Sequence, residues 1–410
     1  MGSTPPRVAV IGVNGHGASH ARTLAAAHQA GRLTFAAVCD VAPPTPTVAA
    51  LLPAGVTVVN DYRDLARLDL DATVICTPPH THLEIATAVA RAGSDILLEK
   101  PPVLSLAEHE ALQAVLTETG RVCQVGFQSL ASPALAALRQ AIADGRLGEV
   151  DLVVSTGAWI REDSYYARAR WAGQRELDGY PVADGALVNP FAHALMNCLL
   201  LAGPDNWPVQ MELERYRARA QIEVDDTACL RVTLASGKRI LVAVTLCAER
   251  FSPARITVRG AARQAVFDYA DDLLQLPGDN ALRPVAGRPT LIDNLLAHRA
   301  SPQTTPLLAP LALTAPFTAL AEAILAAPIP PLLTGDTVTV VPTDSSQRVQ
   351  INGINALIAQ AGQQGALFSE LGAAWATRPY LTPVAAPPAS LTFDVGAPIH
   401  PRDSSAVPRP

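Results

Sequence analysis

Between residues 7 and 126 the chain repeats one pattern: a short run of Val, Ile, Leu, Ala or Cys, then a longer segment with apolar residues at helical spacing. The runs at 7–12, 33–40, 56–59, 72–77, 95–98 and 122–126 are almost continuously apolar, as strands buried on both faces of a parallel sheet are. Between two of them, 80–92 places Leu83, Ala86, Val89 and Ala90 on one stripe, and 105–119 opens with a Ser-x-x-Glu capping box at Ser105 and Glu108. Strict alternation of strand and helix predicts an α/β fold, a Rossmann-type doubly wound parallel sheet.

After about residue 148 the pattern changes. Leu230, Val232, Leu234, Ile240, Val242, Val244 and Leu246 alternate with positions that include Thr227, Arg231, Thr233 and Thr245, which predicts half-exposed, antiparallel strands. The turn Ala235-Ser236-Gly237-Lys238 joins them as a hairpin, 150–154 and 254–259 read as further strands, and helices are expected at 185–202, 314–327 and 346–360. The division that follows is a nucleotide-binding domain at 1–127 and a substrate domain at 128–377, some of whose helices pack back on the first domain. From Arg378 onward eight of the last 33 residues are proline, so 378–410 is expected to be an extended or disordered tail. A sheet with one exposed face needs cover, and a homo-oligomer, dimer or tetramer, through that sheet is the expectation.

Charge narrows the partners. A formal net charge of −6 and only 17% charged residues give no general attraction to nucleic acid or to acidic lipid. No apolar stretch reaches the roughly 18 residues of a membrane span, and the first residues lead straight into a strand; a cytoplasmic chain is expected. The six cysteines are spread without a Cys-x-x-Cys, which reads as buried thiols rather than disulfides or zinc ligands.

The first chemistry-bearing segment is Ile11-Gly12-Val13-Asn14-Gly15-His16-Gly17-Ala18-Ser19-His20. Gly12 and Gly17 hold the first and third positions of a G-x-G-x-x-G turn, with Asn14 at the second and Gly15 and His16 between. Such a turn presents helix N–H groups to a pyrophosphate, although an ordinary strand-to-helix connection uses the same residues. Asp40, ending the second run 23 residues beyond Gly17, strengthens the nucleotide reading: a carboxylate there binds ribose hydroxyls and repels a 2′-phosphate, favouring NAD over NADP. His16 and His20 stand four apart, but no Cys, Asp or Glu at ligand spacing accompanies them, so no metal is expected.

Only two of the 31 basic residues are lysines, and Lys100 lies in Leu98-Glu99-Lys100-Pro101-Pro102, at the carboxyl edge of the fifth strand, where open α/β sheets bind ligands. A lysine there can stabilise a developing alkoxide. Together with Cys76-Thr77-Pro78-Pro79-His80-Thr81-His82, Val125-Gly126-Phe127 and 185–193 (Gly-Ala-Leu-Val-Asn-Pro-Phe-Ala-His), these residues resemble the Gfo/Idh/MocA family of nicotinamide-dependent sugar and polyol dehydrogenases. The resemblance implies a second domain with a large open, mostly antiparallel sheet, NAD as cofactor, and Thr77, Pro78, His82, Glu99 and Lys100 beside it. It also implies a Lys-Asp-His site, in which Lys100 and His193 match and Asn189 replaces the aspartate. Asn189 and His193, four apart on one helix, would face one ligand, but an amide cannot raise the proton affinity of His193. Asp184 could supply the carboxylate; a helix N-cap is its favoured reading.

The segment 159–171 (Trp-Ile-Arg-Glu-Asp-Ser-Tyr-Tyr-Ala-Arg-Ala-Arg-Trp) mixes aromatic faces with charged groups, as a polyhydroxylated ring requires, while its tryptophans also suit interdomain packing. Tyr165, Tyr166, Arg170, Trp171, Asp184 and Asn189 are the expected substrate contacts. The expected activity is NAD-dependent oxidation of a secondary hydroxyl of a sugar, polyol or related cyclic compound, with His193, assisted by Lys100, handling the proton. The alternatives are an NAD-recycling lyase or glycosidase and a non-catalytic sensor.

Overall fold

The computed structural model describes residues 4–203, 206–344 and 346–388. Its first sheet contains β1 (Arg7–Ile11), β2 (Thr34–Cys39), β3 (Thr57–Val59), β4 (Ala72–Ile75), β5 (Asp95–Leu98) and β6 (Cys123–Val125), all parallel, in the order β3-β2-β1-β4-β5-β6. Helices α1 (Gly17–Gln29), α2 (Pro46–Ala49), α3 (His82–Arg91) and α4 (Leu106–Thr119) connect the strands. The order reverses between β1 and β4, and the crevice at such a switch point is where these sheets take ligands. The capping box forms with a shift: Ser105 Oγ accepts from the Glu108 N–H at 3.2 Å, while Glu108 reaches back to the Leu104 N–H at 2.9 Å, one residue before the cap.

The second sheet has nine strands, in the order β16-β15-β14-β13-β7-β12-β11-β10-β19. Its members are β7 (Val150–Ile160), β10 (Pro208–Tyr216), β11 (Thr227–Leu234), β12 (Arg239–Thr245), β13 (Cys247–Gly260), β14 (Gln264–Asp268), β15 (Leu273–Gln275), β16 (Arg283–Pro284) and β19 (Tyr380–Pro383). Only β7 and β12 pair in parallel. Helices α5 (Pro133–Ala143) and α6 (Asp163–Ala167) flank β7, and α7 (Ala192–Ala202) follows the small hairpin of β8 (Glu176–Leu177) and β9 (Tyr180–Pro181). Asp178 and Gly179, both with positive φ, make the hairpin turn, as a two-residue loop of this hand requires.

Both faces are buried at the central strands β11 and β12, which corrects the half-exposed reading of those runs, while β10, β13, β14 and β19 keep exposed positions. Leu230, Val232, Val242 and Val244 lie in one core with Leu195 of α7 and Phe317 of α9 (Ala315–Ala326). The intervening Cys229, Leu241 and Ala243 lie in another, with Ile354 and Ile358 of α10 (Ile354–Gln364) and with Leu367 and Phe368. Polar positions in the alternation are satisfied internally: Thr227 and Thr245 hydrogen-bond at 2.7 Å, and Arg231 pairs with Glu212 and Glu370. The chain's own α10 therefore covers part of that face, over β7, β12 and β13.

The expected helix at 346–360 is also corrected. Residues Gln347–Ile351 form strand β18 against β17 (Val338–Pro342), because Val349 and Ile351 alternate, and Gly353 at φ +79° turns the chain into α10. Part of the proline-rich tail is a strand at the sheet edge, β19 beside β10; residues 389–410 lie outside those described. Helix α8 (Leu291–Ala300) packs back on the first sheet, its Leu291, Ile292 and Leu295 joining Val8, Val10 and Leu24. The buried Gln124 fixes that contact by donating to Leu291 O at 2.6 Å and accepting from the Leu308 and Ala309 N–H groups. All six cysteines are free, and among the described residues no helix is long and apolar enough to cross a membrane.

Candidate active site

Close packing dictates the glycines of the first turn. A Cβ on Gly12 would stand 2.6 Å from the Cys76 carbonyl oxygen, and one on Gly17 would stand 1.9 Å from that of Gly12, so neither position admits a side chain. Gly15 has φ +68° and open space around it. Asp40, just after β2, accepts from the Asn14 N–H at 3.0 Å and the Ala42 N–H at 3.1 Å. Asn14 spends its amide on the same loop, accepting from the Thr45 N–H at 3.0 Å and donating to Pro43 O at 3.2 Å. The second turn position thus ties the glycine turn to the loop after β2.

Glu99, buried at the end of β5, gathers the neighbouring polar groups. One carboxylate oxygen accepts from His20 at 2.8 Å and from Gln128 at 3.0 Å, the other from the Lys100 N–H at 3.1 Å. Gly126 leaves the space the carboxylate fills, since a Cβ there would touch it at 2.8 Å. Burial pushes the Glu99 carboxyl up, but hydrogen bonds and charge from His16 and His20 outweigh burial and hold it well below the usual carboxylate range. The bond to Glu99 correspondingly raises His16. Folding thus brings to the histidine pair a carboxylate 79 residues from His20, which sequence spacing could not reveal, with ligand atoms of all three within 4.8 Å of one another.

Lys100 reaches across to the second half of the chain. Its Nζ donates to Asn189 Oδ1 at 2.6 Å and to Asn189 O at 3.1 Å. Asn189 Nδ2 in turn donates to Asp184 Oδ1 at 2.6 Å, which also accepts from the Tyr165 hydroxyl at 3.0 Å, and Asp184 Oδ2 accepts from the Gly173 N–H at 2.7 Å. Asp184 is therefore not a helix cap. Helix α7 starts at Ala192, and 185–191 form successive turns, so Asn189 lies ahead of the helix that carries His193. The amide acts as a coupler that links the lysine to a buried carboxylate. Asp184→Ala removes the acceptor of three donors and is expected to cost on the order of 3 kcal/mol in denaturant titration. Asp184→Asn keeps an acceptor oxygen and should cost less; an unchanged midpoint for the alanine variant would contradict the coupling.

Beside Lys100 stands His193, in the first turn of α7. Its Nδ1 meets Ser129 Oγ at 3.2 Å, and Asn197 Nδ2 ties the pair by donating to Ser129 Oγ and to His193 O, both at 2.7 Å. Phe127 and Tyr269 flank the ring. Nε2 has no hydrogen bond within the described residues. Burial, with the charge of Lys100 next in weight, lowers His193 to about 3, so the imidazole is neutral at physiological pH. Burial also lowers Lys100, against the opposing pull of Glu99 and Asp184.

Other expected residues fall elsewhere. His82 is fully buried and faces the carbonyls of Thr77, Pro101 and Pro102, bracing two loops and leaving no ring nitrogen for a cofactor. Thr77 accepts from the Thr81 hydroxyl at 2.7 Å, and Pro78 O accepts from the same group. Tyr166 is buried beneath Arg219, and Arg170 pairs with Asp178 on the β8–β9 hairpin, so neither points to Lys100. Trp171 lies under Arg168. Gln128, Ser129 and Asn197 were not foreseen; Val125-Gly126-Phe127 pointed to the loop of the first two, and Asn197 stands four residues after His193 on α7, a spacing that could have marked it. His80 stacks on Tyr180 of the hairpin at 4.6 Å, joining the loop after β4 to the β8–β9 hairpin.

Residues 6–127 match an oxidoreductase family with an NAD-binding Rossmann fold, and residues 135–266 match the C-terminal domain of the same family. The chain is 43% identical over 91 residues to inositol 2-dehydrogenase of Rhizobium meliloti, which is 22% of this chain and 28% of that protein. It is 25% identical over 234 residues to levoglucosan dehydrogenase of Pseudarthrobacter phenanthrenivorans, 51% of this chain and 58% of that one. The matched stretches thus span between about a quarter and somewhat over half of these relatives' lengths. The fold is that of the WlbA dehydrogenase of Bordetella pertussis, solved with NADH and UDP-GlcNAcA: TM-score 0.65, 23% identity, 78% of this chain and 95% of that one. With both regions matched in order over more than half of its length, the chain belongs to the Gfo/Idh/MocA oxidoreductase family.

Proposed function

We propose that this protein is an NAD-dependent dehydrogenase that oxidises a secondary hydroxyl of a sugar, polyol or related cyclic compound. The observation that carries the reading is the contact of Lys100, from the end of the first sheet, with Asn189, four residues before His193, which brings the lysine close enough for its charge to act on the imidazole beside the Glu99 cluster that anchors α1. The names of the relatives, inositol and levoglucosan dehydrogenases, agree with it.

The first turn fits a dinucleotide. Glycine is enforced at Gly12 and Gly17 by backbone contact, Gly15 leaves open space, and the Asp40 carboxylate closes β2 with no basic residue in 41–47 to receive a 2′-phosphate. When bound, NAD⁺ supplies the hydride acceptor for the substrate carbon. The chain's residues handle the proton. Burial, with the charge of Lys100 next in weight, holds His193 neutral, so the proton that the pair exchanges is the one on Lys100, whose hold on it burial weakens. In the oxidising direction deprotonated Lys100 takes the hydroxyl proton; in the reducing direction its ammonium returns a proton to the carbonyl oxygen. His193, fixed by Ser129, offers Nε2 as a neutral partner that orients the hydroxyl.

Purified protein with NAD⁺ and a panel of sugars, polyols and sugar acids tests the reading by NADH absorbance. Reduction by one compound class supports it. Binding of NAD⁺ with no reduction by any class would count against it and favour a sensor.

A further inference from the structure

Tyr165 lies between two cations. The guanidinium carbon of Arg161 sits 3.7 Å from the ring centroid and that of Arg168 3.8 Å, and two such groups at that height must take opposite faces of the ring. Among the described residues neither has a hydrogen bond from its guanidinium or a carboxylate within ion-pair distance. Arg161 Nη1 is buried without any partner. Elsewhere the chain pairs its buried arginines with acids or carbonyls, as Arg219 with Asp163 and Asp226 and Arg215 with Asp225. The Tyr165 hydroxyl ends on Asp184, the acid that holds Asn189 and through it Lys100, and Arg161 is near enough to Lys100 for its charge to act on the lysine. Lys100 has Glu99 and Asp184 acting on it, and Asp184 already accepts three hydrogen bonds, whereas the two guanidinium groups around Tyr165 lack a paired acid among the described residues. Like charges held together without counter-charge are unfavourable, and a ligand that supplies the missing charge relieves this.

We propose that the substrate is a sugar bearing an anionic group, carboxylate or phosphate, which Arg161 and Arg168 receive while the reacting hydroxyl lies at Lys100. The inference rests on the dehydrogenase reading and narrows it. Arg161 follows the end of β7 and Arg168 the end of α6, both on the second sheet's side of the chain rather than in the glycine turn. Guanidinium forks suit either oxyanion.

The test is calorimetric titration of the full chain saturated with NADH, using glucuronate, glucose 6-phosphate and glucose as probes at low salt. At least one anionic probe should bind about tenfold or more tightly than glucose, with an advantage that shrinks as salt is added. The two anions separate the carboxylate source from the phosphate source. Arg168→Gln, at an exposed position, and Arg161→Gln should each erase most of that advantage and leave NADH and glucose affinities unchanged. Glucose binding as tightly as both anions, or a preference that survives both substitutions, overturns the proposal. NADH production from NAD⁺ with the same probes separates the two readings. Anion preference without hydride transfer defeats only the dehydrogenase, whereas turnover of glucose without anion preference defeats only this inference.

Discussion

Lys100→Met is expected to lower kcat about a thousandfold while the dissociation constant for NAD changes by less than about twofold. The side chain hydrogen-bonds Asn189 and nothing in the glycine turn, so its loss should remove the proposed proton transfer and alkoxide stabilisation without disturbing the nucleotide cradle. Lys100→Arg sharpens the point. Arginine keeps the positive charge but releases no proton in the accessible pH range, so it should stay slow if Lys100 transfers the proton and recover substantially if only charge matters. Because burial lowers Lys100 below the usual lysine range, oxidation should accelerate as pH rises and level off below that range, while reduction should slow over the same interval. Equal losses of NAD affinity and turnover in the methionine variant would make Lys100 a structural residue.

Much of the first sheet was legible because buried parallel strands leave uninterrupted apolar runs: each of the six runs at 7–126 contains one strand. The second sheet was legible only in outline. Its alternation of Leu230, Val232 and Leu234 with Cys229, Arg231 and Thr233 suggests one wet face, yet small or paired side chains pack equally well under a helix, and that helix comes 120 residues later. Periodicity along a strand cannot tell which distant segment covers it.

The site divides in the same way. Gly12, Gly17, Asp40, Glu99, Lys100 and His193 stand in local motifs whose geometry follows from neighbouring residues. The role of Asp184 depends on the path of 173–191: ahead of Gly185 it resembles a cap, but the turns at 185–191 delay the helix and direct the carboxylate to Tyr165, Gly173 and Asn189. The substitution of Asn189 for a carboxylate, read from sequence as a loss, becomes a displacement of the negative charge by one hydrogen bond. Asn197 stands four residues after His193 on α7, but Ser129, 64 residues away in sequence, is brought to the ring only by the fold.

Stability should fall as pH drops from about 7 to about 5, and His193 should carry a measurable share of that loss. The folded protein holds this imidazole at about 3, whereas an unfolded histidine titrates near 6.5. Over that interval the unfolded chain binds more protons, so the contribution of His193 is complete above the unfolded value and lost as pH decreases through it, reaching about 2 kcal/mol at pH 5. Burial lowers His82 and His109 as well, in the same sense. His16 is raised by Glu99 and acts oppositely, and the buried Asp225 and Asp226, raised by desolvation, oppose the trend only at lower pH, where carboxyls take up protons. Denaturant titrations of the parent and of His193→Gln at pH 7 and pH 5 isolate the term. The variant has no imidazole to titrate at this position, so its stability difference between the two pH values should be smaller by about 2 kcal/mol, even if the substitution itself shifts both values. An equal acid loss in both proteins would place His193 in contact with water and remove the basis for treating it as the neutral partner of Lys100.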